Sequence, residues 1–332
     1  MTSRFRSLVA WTVVLLLSYF QSLPAQESKA KDAFELRALS PEFWRLVDHD
    51  AHLETMGTGF GFTEGPIWNP TGFLVVSDEE KNAIYHLYPD GRREQVIELG
   101  DPDGNTYTFG DQYQIVDCAS VLRAIIRIAR DGKSYEILAD RYQGKRFNSP
   151  NDVTEGPDGA LYFTDPTLDL VAGQKQEIPF QGVYRLDAHG KVTLLTKELT
   201  QPNGLAFSPD GHYLYIDDSA QKNIRRYRFH SDGTLSDGVI FGDENVEGST
   251  SVPDGMKFDT RGNLYVTGPR GVWVWSPQGK HLGTIVLPEQ PANLTWGGAD
   301  YSKLFITAGS SVYVVQTKAK GFLSYIAKAA QR

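Results

Sequence analysis

Gln201-Pro-Asn-Gly-Leu-Ala-Phe-Ser-Pro-Asp-Gly-His-Tyr-Leu-Tyr-Ile-Asp-Asp218 carries the pattern that decides the fold. A polar residue, Asn203, opens a short small-and-apolar run. A Pro-Asp-Gly turn follows at 209–211, and a second run, Tyr213 to Ile216, ends in acid. Two short runs joined by a tight turn read as paired strands. The same unit recurs along the chain. Its openings are Glu64-Gly-Pro-Ile-Trp68, Asn105-Thr-Tyr-Thr-Phe109, Asn151-Asp-Val-Thr154, Asn203-Gly-Leu-Ala-Phe207, Asp254-Gly-Met-Lys-Phe258 and Asn293-Leu-Thr-Trp296, at steps of 41, 46, 52, 51 and 39 residues. Repeats of this length, closed by a second hairpin rich in Tyr, Arg and Asp-Gly, are the mark of propeller blades. A β-sandwich does not repeat so regularly. Six openings predict an all-β, six-bladed propeller over 61–317.

In a propeller the first strand of every blade lines the central axis, so equivalent residues converge although 40 to 50 places separate them. The six opening residues, Glu64, Asn105, Asn151, Asn203, Asp254 and Asn293, all carry oxygen. Asn and Asp also precede strands for local reasons, because their side chains bond nearby backbone. That explains each position singly. It does not explain two carboxylates and four amides facing one channel without a cation, since buried unpaired carboxylates are costly. Hard oxygen donors select Ca²⁺, Mg²⁺ or Mn²⁺, and amide carbonyls with two carboxylates suit Ca²⁺ best. A central Ca²⁺ site is therefore expected. None of the seven histidines falls at an opening, which disfavours zinc. No Gly-x-Ser-x-Gly elbow is present.

The flanks are of other kinds. Arg4 and Arg6, the apolar run Leu8 to Phe20 and Ser22-Leu-Pro-Ala25 form a signal-peptide pattern, with cleavage expected after Ala25 and export to the periplasm or medium. Losing two arginines takes the net charge from −8 to −10. With no basic block, nucleic acid is not an expected partner. Cys118 is the single cysteine, lies in an apolar run and reads as a core residue, so no intramolecular disulfide forms. Residues 26–60 read as a leader wrapping onto the first blade. The basic, mildly apolar 318–332 reads as a surface tail on the last blade, not a membrane anchor.

Phe62-Thr-Glu-Gly-Pro-Ile-Trp68, Arg146-Phe-Asn-Ser-Pro-Asn-Asp152, Tyr162-Phe-Thr-Asp-Pro166, Gln201-Pro-Asn-Gly-Leu205 and Val252-Pro-Asp-Gly-Met256 together resemble the gluconolactonase / senescence-marker-protein (regucalcin) family, and the Asn-Ser-Pro-Asn-Asp form its bacterial gluconolactonase branch. The resemblance implies a six-bladed propeller with a catalytic divalent metal and a small lactone substrate. It assigns Glu64, Asn203 and Asp254 as metal ligands and Asn151 as a ligand or substrate contact. Asn105 falls at the family's second-blade position, and Asn105, Asn151 and Asn293 are candidate substrate contacts. Where animal members carry a substrate-binding Arg, this chain has Ser149. The implied chemistry is metal-assisted hydrolysis, with Asp254 as the base and Glu64 or Asp152 in reserve. A propeller phosphotriesterase or esterase, and a non-catalytic binding propeller with a structural metal, are the alternative functions.

Overall fold

A computed structural model describes residues 33–107 and 113–329. The signal segment 1–25, the first residues of the leader and the last three of the tail lie outside the described residues.

Six antiparallel sheets follow one another along the chain. Their first strands are Thr63–Asn69, Pro102–Tyr107, Val153–Glu155, Pro202–Phe207, Met256–Phe258 and Pro291–Gly297. Each first strand packs on that of the next blade, and the sixth packs on the first, so the cycle closes. This is a six-bladed β-propeller. From its first strand each blade adds its second and third strands outward in sequence order.

Packing explains why the second strands are apolar without alternation. In Phe73–Asp78 every residue after Phe73 is buried, whereas the outer strand Arg93–Glu98 is mostly exposed. A second strand is covered on both faces by neighbouring blades, and an outer strand is not. Val116 and Ile125 of blade two meet Phe163 and Tyr184 of blade three. Tyr162 meets Phe207 and Ile216 across the next interface, and Tyr215 meets Met256 and Val266 across the one after. Each fully buried side chain of this size contributes roughly 1.5–3 kcal/mol. Cys118 is part of this core, fully buried with a free thiol.

The leader departs from expectation. Glu35–Ala38 adds a fifth strand to blade five, against His281–Val286. Leu53–Thr58 becomes the outer strand of blade six, against Ser311–Gln316. Against the first blade it forms no ladder: Met56 and Phe60 pack with Trp68, Leu74 and Leu87, and Gly59 O accepts from Lys81 Nζ (2.5 Å). The reason is closure. A ring of blades ends with an unpaired edge, and the chain ahead of blade one is the segment at hand to complete blade six.

The tail is also not a surface segment on the last blade. Phe322 N–H donates to Phe258 O of blade five (2.9 Å), and the Tyr325 hydroxyl donates to Trp68 O of blade one (2.7 Å). Leu323 and Tyr325 are buried. With Phe322 they close one end of the axial channel, over Ile67, Phe207 and Phe258. Those apolar rings would otherwise face water.

Candidate functional site

At the end of the channel away from the tail, the inter-blade hydrogen bonds reveal which residues are equivalent. Gly104 N–H donates to Asn151 O (2.8 Å), and Gly255 N–H donates to Ala292 O (2.9 Å). Ser77 Oγ donates to Asp103 O (2.8 Å), as Thr267 Oγ1 does to Ala292 O (2.6 Å). The ring at the mouth is therefore Glu64, Asp103, Asn151, Asn203, Asp254 and Ala292, at steps of 39, 48, 52, 51 and 38. Two expected openings change. Asn105 sits two residues deeper, and its amide brackets blades one and two by donating to Gly65 O (3.0 Å), Ser77 Oγ (2.7 Å) and Asp103 O (3.2 Å). Asn293 sits one residue deeper and donates to Glu64 Oε2 (2.8 Å). A signal for the true ring was present: Pro102, Pro150, Pro202, Pro253 and Pro291 each precede a ring residue, and Pro102-Asp-Gly104 repeats Pro253-Asp-Gly255.

The ring is tight enough to dictate side chains. A Cβ on Gly65 would lie 2.1 Å from Asp103 O, and Gly65 has φ +50°, so both space and conformation require glycine there. Its N–H donates to Glu64 Oε2 (2.5 Å). Glu64 Oε1 is buried with no partner, and so is Asn203 Oδ1, whose amide nitrogen donates to Ser219 Oγ (3.1 Å). Asn151 donates to Asp103 Oδ2 (2.7 Å). Asp152 is held at both oxygens by backbone: Val153 N–H at 2.8 Å and, across the blade interface, Leu205 N–H at 3.3 Å.

Negative charge dominates. Burial lifts Glu64 to about 7; the Gly65 and Asn293 donors oppose this, the Asp152 charge adds to it, and Lys257 opposes it. Asp254 is pushed well above the usual carboxylate range by burial, then by the charges of Glu64 and Asp152. Asp103 is raised likewise by burial, then by Glu79 and Asp169. Glu79 is raised by burial and by Glu64. Burial with the Asp101 charge takes Asp169 to about 7, against the pull of the Asn151 amide. Asp103 was not singled out although its Pro-Asp-Gly repeats that of blade five; Glu79, Asp169 and Lys257 were not, because acids in loops and a Lys in a short strand carry no local mark of function.

Such a ring suits an oxygen-seeking cation. Two buried oxygens without donors, on Glu64 and Asn203, stand beside an Asp whose charge is disfavoured by burial, and a hard divalent ion relieves all three at once. Among the described residues no group of three or more His, Cys, Asp or Glu is arranged to hold a metal ion; the candidate donor set mixes carboxylates with amide oxygens.

Residues 62–310 match the model of the SMP-30/Gluconolactonase/LRE-like region. The chain belongs to this family. Over 310 residues it is 32% identical to a gluconolactonase of Zymomonas mobilis, covering 86% of this chain and 87% of the relative. It is 33% identical over 253 residues to a 6-deoxy-6-sulfogluconolactonase of Pseudomonas putida, covering 74% and 82%. A solved gluconolactonase from Xanthomonas campestris superposes with a TM-score of 0.79 at 31% identity, over 87% of this chain and 96% of the other. Glu64, Asn203 and Asp254 all fall within the matched span.

Proposed function

We propose that this family member is a metal-dependent lactonase that opens a sugar lactone by attack of water on its carbonyl carbon. The observation that carries the reading is the convergence of Glu64, Asn203 and Asp254 on one channel mouth, with Glu64 Oε1 and Asn203 Oδ1 buried and unpartnered. The lactonase names of the relatives support it. Glu64, Asn203 and Asp254 would hold the cation, with Ca²⁺ the best match and Asn151 as a further oxygen donor. When bound, it supplies Lewis-acid polarisation of the carbonyl. Asp254 accepts the proton of the attacking water. Asp152 braces the site, since both of its oxygens already accept backbone N–H groups. Asn293 fixes Glu64 by its 2.8 Å hydrogen bond, and the buried floor under the tail keeps bulk water out from below.

The test is hydrolysis of a panel of aldonolactones by the mature protein, with and without chelator, alongside Asp254→Asn at saturating Ca²⁺. Metal-dependent turnover is expected, with a loss of about 10²-fold or more in the variant. Turnover that survives chelation overturns the metal role. Turnover of phosphotriesters alone, or of no ester, overturns the substrate class or the catalytic reading respectively.

A further inference from the structure

Opposed residues on the first and second strands of a blade share one face. In blades three to six that face is apolar where it meets the preceding blade. Val153 stands opposite Phe163 in blade three. Leu205 stands opposite Ile216, Met256 opposite Val266 and Leu294 opposite Ile306 in the blades that follow. In blade two the same place holds Asn105 opposite Asp117. Both are buried, Asp117 fully so. Two polar side chains thus replace a hydrophobic pair in the interface with blade one, just behind the ring.

Their hydrogen bonds do not balance. The Asn105 amide nitrogen donates to Gly65 O, Ser77 Oγ and Asp103 O. Two of these are carbonyls, which only accept, so the nitrogen end of the amide is fixed on that side. Asn105 Oδ1 is left buried without a donor, and so are both oxygens of Asp117. Directly opposed side chains stand about 5 Å apart at Cβ, within reach of one another. Two acceptors cannot bond, but one proton on Asp117 makes the pair a donor and an acceptor. Burial favours that proton and pushes the carboxyl well above the usual range. The Asp101 charge adds to this, and the Asp103 backbone N–H opposes it without reaching hydrogen-bond geometry. Ile126 stands opposite Asp117 on the third strand, and blade one brings Ile67, Val75 and Ile84 to the same core.

We propose that Asp117 is held as the neutral acid and is a positioning residue of the reaction: its hydroxyl donates to Asn105 Oδ1, and the amide so fixed sets Glu64 and Asp103 in register across the blade interface. The proposal rests on the lactonase reading above. Asn105 is the link. Gly65, whose carbonyl it holds, donates its own N–H to Glu64 Oε2 (2.5 Å), and Asp103 is the ring residue of blade two. Asp117 lies behind the ring and acts through this amide. Without its proton the amide has one end unpaired in an apolar interface, which is costly, and a small displacement of a group at the reacting centre is enough to slow turnover.

The experiment compares Asp117→Asn, Asp117→Ile and the double variant Asn105→Leu/Asp117→Ile with the wild type, on D-glucono-δ-lactone in saturating Ca²⁺. Asp117→Asn keeps the shape and a donor but cannot ionise; it is expected to hold kcat within about 3-fold. Asp117→Ile is expected to lose about 10- to 100-fold in kcat, with KM changed less. The double variant restores the apolar pair of the other blades. It is expected to melt near the wild-type temperature and still to lack the kcat, a split that a purely structural role does not produce. The proton is read separately, in melting curves with chelator. A neutral acid that ionises on unfolding costs the wild type stability as pH rises, so Asp117→Asn should gain on it from pH 5 to pH 8, by about 3 °C or more. Asp117→Asn as impaired as Asp117→Ile overturns the proposal, because the charge is then what matters. A double variant with wild-type kcat also overturns it, and so does a melting difference independent of pH, which needs only the Asn variant to fold. Calorimetric titration with Ca²⁺ separates the two readings if the wild type opens no lactone. That result sinks the lactonase reading, while Ca²⁺ affinity about 10-fold weaker in the double variant and unchanged in Asp117→Asn still supports the positioning of Glu64; equal affinity in all overturns it.

Discussion

The positive charge of Lys257 acts on both Glu64 and Asp152, lowering each. It stands at the fourth place of its strand opening, where the other blades carry Ile67, Thr106, Thr154, Ala206 and Thr295. With these it lines a cavity of about 50 Å³ between the ring and the tail. A positive charge there offsets the carboxylates when no cation is bound and opposes a cation when one is. Lys257→Met is therefore expected to raise Ca²⁺ affinity by about 3- to 10-fold, and to lower the melting temperature of the chelated protein. Calcium titration and melting curves with chelator check the two effects; an affinity equal to or below wild type contradicts this account. The contrast with Asp152 is instructive. Both groups are close to Glu64, yet Asp152 is fixed by two backbone donors and Lys257 is not, so one is a brace and the other a counter-charge.

The tail segment shows how an element with little regular structure is held in place. Gly321 bridges to Asp259 of blade five and its N–H donates to Tyr301 O (2.8 Å). A Cβ at this position would lie 1.9 Å from Cγ of the fully buried Trp296. Nothing there yields cheaply, because Trp296 also packs edge-on against Tyr265. Gly321→Ala should therefore lift the tail from the channel floor and cost about 1–3 kcal/mol, read as a lower urea midpoint. Faster proteolysis after residue 321 should accompany it. A variant with wild-type midpoint and protease resistance would show that the tail is not a structural plug. The leader illustrates the same point from the other end, since Leu53–Thr58 gains its hydrogen bonds only because blade six arrives more than 250 residues later.

For the whole molecule the concentration of acids at one end of the axis couples stability, pH and cation. Glu64 is raised to about 7, and burial pushes Asp254 and Asp103 well above the usual carboxylate range. A carboxyl whose folded pKa is raised holds its proton in the folded protein after the unfolded chain has released it. Its penalty is absent below the ordinary carboxylate range, near 4.5 for Glu64, and is fully present above the folded pKa. The chelated protein should thus lose stability as pH rises from about 4.5 through 7. A divalent ion bound only by the folded state should restore it, more so at high pH, with release of protons on binding. The difference in melting temperature between Ca²⁺ and chelator should widen from pH 5 to pH 8. A difference independent of pH would show that these acids do not share a cation.

The amino-acid sequence by itself determined the blade count, the all-β class and the chemical character of the axis. Six near-equal units with a polar opening can bury their apolar runs only against one another, and a ring of six does so. Glu64, Asn151, Asn203 and Asp254 were legible because each opens its unit within a marked local motif. Tertiary structure decided the register of blades two and six, where Asp103 and Ala292 take the places expected for Asn105 and Asn293; the proline before each was a mark in the sequence that only the inter-blade bonds made readable. A strand's register depends on which carbonyl its neighbour offers, and the bonds from Gly104 to Asn151 and from Gly255 to Ala292 lie between blades. It also decided the path of the long loop 166–181, which Ser149 ties down by donating to Pro166 O and accepting the Asp169 N–H. Ring closure by the leader and the channel floor by the tail belong with these, for both join chain segments far apart in sequence. Local pattern records what a residue prefers; which residues meet across a closed ring is set by the ring.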